Sequence, residues 1–582
     1  MNKSLARVAS VILVSAAAAL LAGCGGGGGE EDGLRVIIYG PDPAQYEHLA
    51  ATNKCDLQDE SCQCDVVRMC RLEGGMDSTP VGCTGMLAYT DHTVDLGALP
   101  FNKKVALLFE CYKSVFDPLT AQPTVDGPRA DGQSCAGTRS SGAEVANQSI
   151  YVLPVTSFGP TMEAPDPLLG ELYGKETQAK LERWGSVAVE MFDGTVLLAG
   201  GAKTANGCQD WSDPDCVDSP TSTAEVYDPS TGRFAEVGQV DTRGAFIAST
   251  MNQKRAFSAA VELPSGEIAI FGGMSSGGGS IEPTNTVEIY NPLTKLFKGP
   301  EEVPNMTFAR AYHTATLINS DGQGFVLLIG GFGEGDKKWE VWTPTLGSVA
   351  TGELQESRWN HTATLINKAL DSKAREMVMI TGGEGGGIPG AATVRSTVEI
   401  FDLENQAIQA QMPFLCSNDE TKATPKTMHA AAFVPSRHFV YVAGGFKDGA
   451  HLNPGRDICV WQTTKEKWEG QAGAFLLEKG RGALSATNLP NNAVLFAGGL
   501  IKGDGGVLEP AQTVEIVFEY LNANGETVVD IGPDDGFPIA MITPRWQHGA
   551  IRGCDGKVLF FGGLGGTPAN TNSLAATEVF NP

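Results

Sequence analysis

Seven basic residues, Arg183, Arg255, Arg310, Arg358, Lys426, Arg481 and Arg545, each stand three positions before a shared site that holds Ser186, Ser258, His313, His361, His429, Leu484 and His548 in turn. A cation repeated in this way, in a chain of formal net charge −26, is a candidate for gripping a carboxylate or sulfate. The competing expectation is internal pairing, because Glu225, Glu288, Glu340, Glu399, Glu515 and Glu578 recur downstream of six of the cations. Lys426 favours the ligand reading at this level, since lysine does not reproduce the guanidinium fork that a fixed bidentate partner needs. Trp184, Trp359, Trp546 and Tyr312 lie beside the repeated cations as aromatic platforms suited to sugars or peptides, and packing explains them equally. His313, His361, His429 and His548 share one register, and imidazole is a copper ligand, although that affinity is generic.

Other chemistry is sparse. Asp210, Asp213 and Asp215 lie between Cys208 and Cys216, with Asp218 beyond, but they lack the ligand order of a calcium loop, and Cys208 with Cys216 reads as a disulfide. No nucleophile elbow, phosphate-binding loop or HExxH motif occurs. The acidic balance argues against nucleic acid as a partner.

The elements that position the repeated cations recur with them. A Gly-Gly pair closes a short apolar run at Gly200-Gly201, Gly272-Gly273, Gly330-Gly331, Gly382-Gly383, Gly444-Gly445, Gly498-Gly499 and Gly562-Gly563. Runs such as Val196-Leu197-Leu198-Ala199 and Val558-Leu559-Phe560-Phe561 read as strands covered on both faces. Each is paired with a preceding strand through turns such as Phe192-Asp193-Gly194 or Pro264-Ser265-Gly266. A third strand follows, clearest in Thr223 to Pro229, Thr286 to Pro292, Thr397 to Asp402 and Ala576 to Pro582, and weaker from Trp339, Ile458 and Thr513. A fourth begins near Phe234, Phe297 or Trp468.

Four strands marked by Gly-Gly and by a glutamate with a nearby aromatic, in seven copies, resemble the Kelch repeat. The resemblance covers roughly residues 158 to 582. It implies an all-β fold, a seven-bladed Kelch-type β-propeller, with the first strand of each blade nearest the axis. It also implies that the seven cations sit around one mouth of the central channel, where some Kelch proteins hold acidic peptides. Galactose oxidase-like enzymes share this propeller and bind copper through tyrosines and histidines, so Tyr312 with His313, His361 and His429 is a partial copy of such a site. No cysteine accompanies Tyr312 in a recognisable motif. The last repeat stops at Pro582 after its third strand, so a strand near residues 150 to 160 is expected to close the ring and cover the open edge.

Residues 1–23 read as a signal, with Lys3 and Arg7 before the apolar stretch Val8 to Leu21. Leu21-Ala22-Gly23-Cys24 resembles the bacterial lipobox, which implies lipidation at Cys24, and residues 24–33 form a Gly-rich acidic tether. Gly25 after the cysteine, in place of an inner-membrane retention aspartate, points by resemblance to the outer membrane. Twelve further cysteines in an exported chain imply a disulfide framework, and Cys55, Cys62, Cys64, Cys70, Cys83, Cys111 and Cys135 concentrate it in residues 34–149. That region reads as a small disulfide-rich, β-sandwich-like and possibly Ig-like domain, with the propeller over 150–582. The leading functional reading is a lipid-anchored cell-envelope lipoprotein that binds or scaffolds an envelope protein or polysaccharide, with no cofactor and no assigned metal or catalytic residue. A copper-dependent oxidoreductase is the alternative.

Overall fold

The computed structural model describes the backbone of short strands before Ser157. From there to Pro582 it describes the chain except 164–174, 205–216, 278–279, 319–323, 371–372, 388–390, 410–413, 470–474, 490–491, 522–526, 533–538 and 569. Over this second span the Gly-Gly repeats fold into seven antiparallel sheets. Blade one is Val187–Glu190, Val196–Ala199, Ala224–Asp228 and Arg233–Glu236, paired in that order. Blades two to six repeat the pattern, and blade five carries an additional pairing of Phe475–Leu476 with Asp457–Gln462. The apolar runs before Gly-Gly are the second strands, and Val196, Leu197, Leu198 and Ala199 are all buried, as continuous apolar sequence requires.

These sheets form a closed ring. The first strand of blade one touches the first strands of both blade two (Ala259–Glu262) and blade seven (Gly549–Arg552), and the same contact runs through every intervening pair of neighbours. A hydrophobic cluster fills each interface between neighbours. Val196, Leu198 and Tyr227 of blade one pack on Leu559, Phe561 and Val579 of blade seven, and Leu197, Ala199 and Ala224 pack on Ile268, Ile270 and Tyr290 of blade two. Each fully buried aliphatic or aromatic side chain contributes about 1.5–3 kcal/mol, so the ring is held by sheet-to-sheet burial rather than by one central core.

Blade seven takes its fourth strand from before blade one. Ser157–Pro160 pairs antiparallel with Thr577–Asn581, and Phe158 packs against Phe560 and Phe580 at ring-centroid distances of 5.4 and 5.0 Å. Within 150–160 this is the part that enters the propeller. Ile150 and Tyr151 run beside Leu34–Tyr39, and Leu153–Pro154 runs beside Ala130–Gln133. In the N-terminal region Lys104–Tyr112 lies between Val66–Glu73 and Ala130–Gln133. The cysteine pairing and sandwich-like packing expected over 34–149, and the expected pair Cys208 with Cys216, fall outside the described residues.

Candidate functional site

The seven ring cations are buried and engaged within the protein, which corrects the expectation of an anion-gripping ring open at the channel mouth. In six blades one guanidinium nitrogen donates to a third-strand glutamate: Arg183 to Glu225, Arg255 to Glu288, Arg310 to Glu340, Arg358 to Glu399, Arg481 to Glu515 and Arg545 to Glu578, at 2.6–2.8 Å. The other terminal nitrogen donates to the carbonyl of the first Gly of the blade's own pair, as Arg310 does to Gly330 at 2.6 Å and Arg358 to Gly382 at 2.7 Å. Burial lowers the pKa of each of these arginines, and the glutamate opposes the shift. Lys426 has no glutamate. Its Nζ donates to the carbonyls of Gly444 and Asp457 at 2.9 and 3.1 Å, and burial brings its pKa down to about 8.

The backbone beside these cations closes the ring a second time. The second Gly of every pair donates its N–H to the carbonyl of the next blade's cation, from Gly201 to Arg255 at 2.9 Å through to Gly563 back to Arg183 at 3.0 Å. The first Gly lies at positive φ against that same carbonyl. At Gly562, where φ is 56°, a Cβ would meet the Arg183 oxygen at 2.5 Å. The Gly-Gly repeat therefore exists because two blades meet there, not because a ligand does.

Three of the four histidines are structural bridges between blades. Nε2 of His361 lies 3.0 Å from Thr314 Oγ1, that of His429 lies 3.0 Å from Thr362 Oγ1, and that of His548 lies 2.9 Å from Ser485 Oγ, each hydroxyl belonging to the preceding blade. Burial pushes His429 and His548 down to about 3 and His313 and His361 well below the usual imidazole value, so all four are neutral at pH 7. Ala259 stands in blade two where the hydroxyl would be, and both ring nitrogens of His313 are buried without a partner. Three of the four thus spend Nε2 on a neighbour's hydroxyl. Among the described residues no group of three or more His, Cys, Asp or Glu side chains is placed to hold a metal.

Two residues after each cation comes a position that sequence reading missed. Gly185, Phe257, Tyr312, Asn360, Met428, Ala483 and Gln547 all have positive φ, between 47° and 64°. From Phe257 onward each donates its N–H to the carbonyl of the equivalent residue in the preceding blade, at 2.7–3.2 Å. Left-handed backbone costs a bulky residue about 1–3 kcal/mol, so this belt of hydrogen bonds holds a conformation the side chains disfavour. Phe257 stacks on Tyr312 at 4.3 Å and meets Trp184 edge-on at 4.7 Å. Trp184, Trp359 and Trp546 are themselves buried, so the expected tryptophan platforms are packing. The aromatic surface left half-exposed belongs to Phe257 and Tyr312.

One charged departure lies behind this belt. Directly after Gly-Gly, six blades carry Ala202, Met274, Phe332, Phe446, Leu500 and Leu564, whereas blade four carries Glu384. Its buried carboxylate accepts from Asn360 Nδ2 at 2.9 Å and lies 3.0 Å from His451 Nε2. Asn360 is thus fixed through its amide nitrogen. A second unnoticed regularity was visible in the sequence: Ala188, Ala260, Ala315, Ala363, Ala431, Ala486 and Ala550 occupy one position of the first strand, where seven strands converge on the axis.

This topology and its two hydrogen-bonded belts define a seven-bladed β-propeller. No known family profile matches the chain, and no curated protein does. Among solved structures it is similar to YjhT, with 15% identity and a TM-score of 0.38 over 61% of this chain and 99% of that one. It is also similar to a fungal alcohol oxidase of the AA5 family in complex with copper, with 14% identity and a TM-score of 0.45 over 74% of this chain and 76% of that one.

Proposed function

We propose that the protein is an exported, lipid-anchored binding module of the cell envelope, attached through Cys24 at the outer membrane, and that its partner docks on the propeller mouth at Phe257, Tyr312, Asn360 and Gln547. The observation that carries this reading is the contrast within each repeat. Cation, glutamate, Gly-Gly and alanine are nearly constant, while the position two residues after the cation keeps one backbone conformation and changes its side chain in every blade. A rigid backbone presenting a different side chain from each blade is the arrangement that recognition needs. An aromatic stack with the Asn360 carboxamide beside it suits an envelope polysaccharide or a protein surface, and the acidic chain disfavours nucleic acid.

The test pairs Asn360→Ala with Gln547→Ala and measures retention of labelled envelope polysaccharide and envelope protein fractions on immobilised protein. The expected result is at least about a tenfold loss of retention, equivalent to ~1.4 kcal/mol, with cooperative unfolding preserved. Unchanged retention of both fractions would overturn the assignment. Anchoring is tested separately: Cys24→Ser should abolish fatty-acid labelling and release the protein from membranes, and labelling that persists would refute the lipid anchor.

A further inference from the structure

The glutamate of the third strand does more than meet the arginine. Its second oxygen accepts a backbone N–H from the loop that enters the blade: Lys180 to Glu225 at 2.7 Å, Asn252 to Glu288 at 2.5 Å, Thr307 to Glu340 at 2.8 Å, Gln355 to Glu399 at 2.7 Å, Glu478 to Glu515 at 2.8 Å and Ile542 to Glu578 at 2.6 Å. One carboxylate therefore clips the entry loop, the third strand and the arginine together.

Blade five has no such glutamate. Cys459 pairs with Val442 in the register where Glu399 pairs with Ile380 and Glu515 with Phe496, so a cysteine occupies the glutamate position. The loop residue is identified the same way. Met251, Met306, Leu354, Leu477 and Met541 each donate to a carbonyl of the preceding blade and directly precede the residue whose N–H the glutamate accepts. Leu415 makes that bond in blade five, to Ser396 at 2.8 Å, and the residue after it is Cys416. Cys416 and Cys459 are buried and disulfide-bonded, with Cα atoms 5.0 Å apart. This is also the one blade whose cation is lysine. With the glutamate gone a guanidinium fork has no second partner, and Lys426 donates to two backbone carbonyls with the Asp457 charge nearby.

We infer that the Cys416–Cys459 disulfide is the covalent replacement for the glutamate clip, and that it makes blade five the sheet whose entry loop loses its tie to the third strand when the bond is reduced. Reduction adds two electrons and two protons, breaks the S–S bond and leaves two thiols, while a dithiol reductant is converted to its cyclic disulfide. A thiol is a weak acceptor and carries no charge at neutral pH, so neither product replaces a carboxylate.

The experiment compares the full exported chain with Cys416→Ser/Cys459→Ser and with Cys416→Asn/Cys459→Glu/Lys426→Arg, which rebuilds the clip of the other blades. The serine pair should melt about 5 °C or more below the parent and show faster amide exchange around Leu415 to Ala423, with the entry loops of other blades unchanged. Dithiothreitol, with thiol release followed by alkylation of the Cys416 and Cys459 peptides, should produce the same local exchange in the parent and none in the rebuilt variant. Parental melting and protection in the serine pair would overturn the inference even if the rebuilt variant fails to fold. So would exchange that rises equally in all blades.

Discussion

Arg310 and Tyr312 are two residues apart and have opposite fates. The guanidinium is sealed between Glu340 and the Gly330 carbonyl, whereas the tyrosine sits on a strained backbone at the channel mouth with its ring stacked on Phe257. The same division holds around the ring: an inner belt of buried polar contacts repeats almost without variation, and an adjacent belt keeps one backbone conformation while its side chain differs from blade to blade. Repetition of a chemically active residue type therefore marked the architecture. The candidate site lies where chemistry varies on a constant frame.

The largest effect should come from breaking the inner belt on its acidic side. Glu399→Ala leaves the buried Arg358 with only the partly exposed Glu356 at 3.5 Å and the Gln355 N–H without an acceptor, and the expected loss is about 3 kcal/mol in denaturant unfolding. A loss near zero would place the ion pair outside the stabilising frame. Next, Gly562→Ala forces a Cβ onto the Arg183 carbonyl at positive φ, where blade seven meets blade one, and should cost more than about 1 kcal/mol. A parental melting point would show that the junction has room to spare.

Acid should act through the histidines. Their folded pKa values lie below the unfolded value, with His429 and His548 at about 3, so between that value and 6.5 the unfolded chain binds more protons than the folded one. Stability contributed by the neutral imidazoles is complete above pH 6.5 and falls as pH drops toward 3. His429→Gln should flatten the stability slope between pH 6.5 and 4, and an unchanged slope would assign acid sensitivity elsewhere. The smallest effect belongs to the outer belt: Ala483→Gly removes the penalty of a left-handed alanine and should leave stability within about 1 kcal/mol of the parent. A large loss there would erase the distinction between the two belts.

The propeller was legible because its signals are local: an apolar run and two glycines mark each blade, six blades add a glutamate with a nearby aromatic, and of the residues 150 to 160 expected to complete the last blade Ser157–Pro160 does so. The role of the cations was not legible from residue type, since an arginine facing a ligand and one facing a glutamate look alike in sequence. A finer signal was nevertheless present. Lys426 belongs to the repeat whose third strand, Ile458 to Gln462, has no glutamate, and that pairing of exceptions points to an internal partner. The outer belt left no trace because positive φ at Phe257, Tyr312 or Met428 is imposed by neighbouring blades rather than by glycine. The buried Glu384 could have been found as the one acidic residue directly after the seven repeated Gly-Gly pairs.

The most direct test of this division of labour is the double substitution Arg310→Gln/Arg358→Gln, followed by thermal unfolding and by binding of a sulfated polysaccharide and an acidic peptide. The account predicts a large fall in melting temperature, because Glu340 and Glu399 lose their buried counter-charges, and no anion binding by the parent that the substitutions could remove. A double variant that melts like the parent while losing an anion the parent holds would contradict it, and would return the ring of cations to the role of binding site.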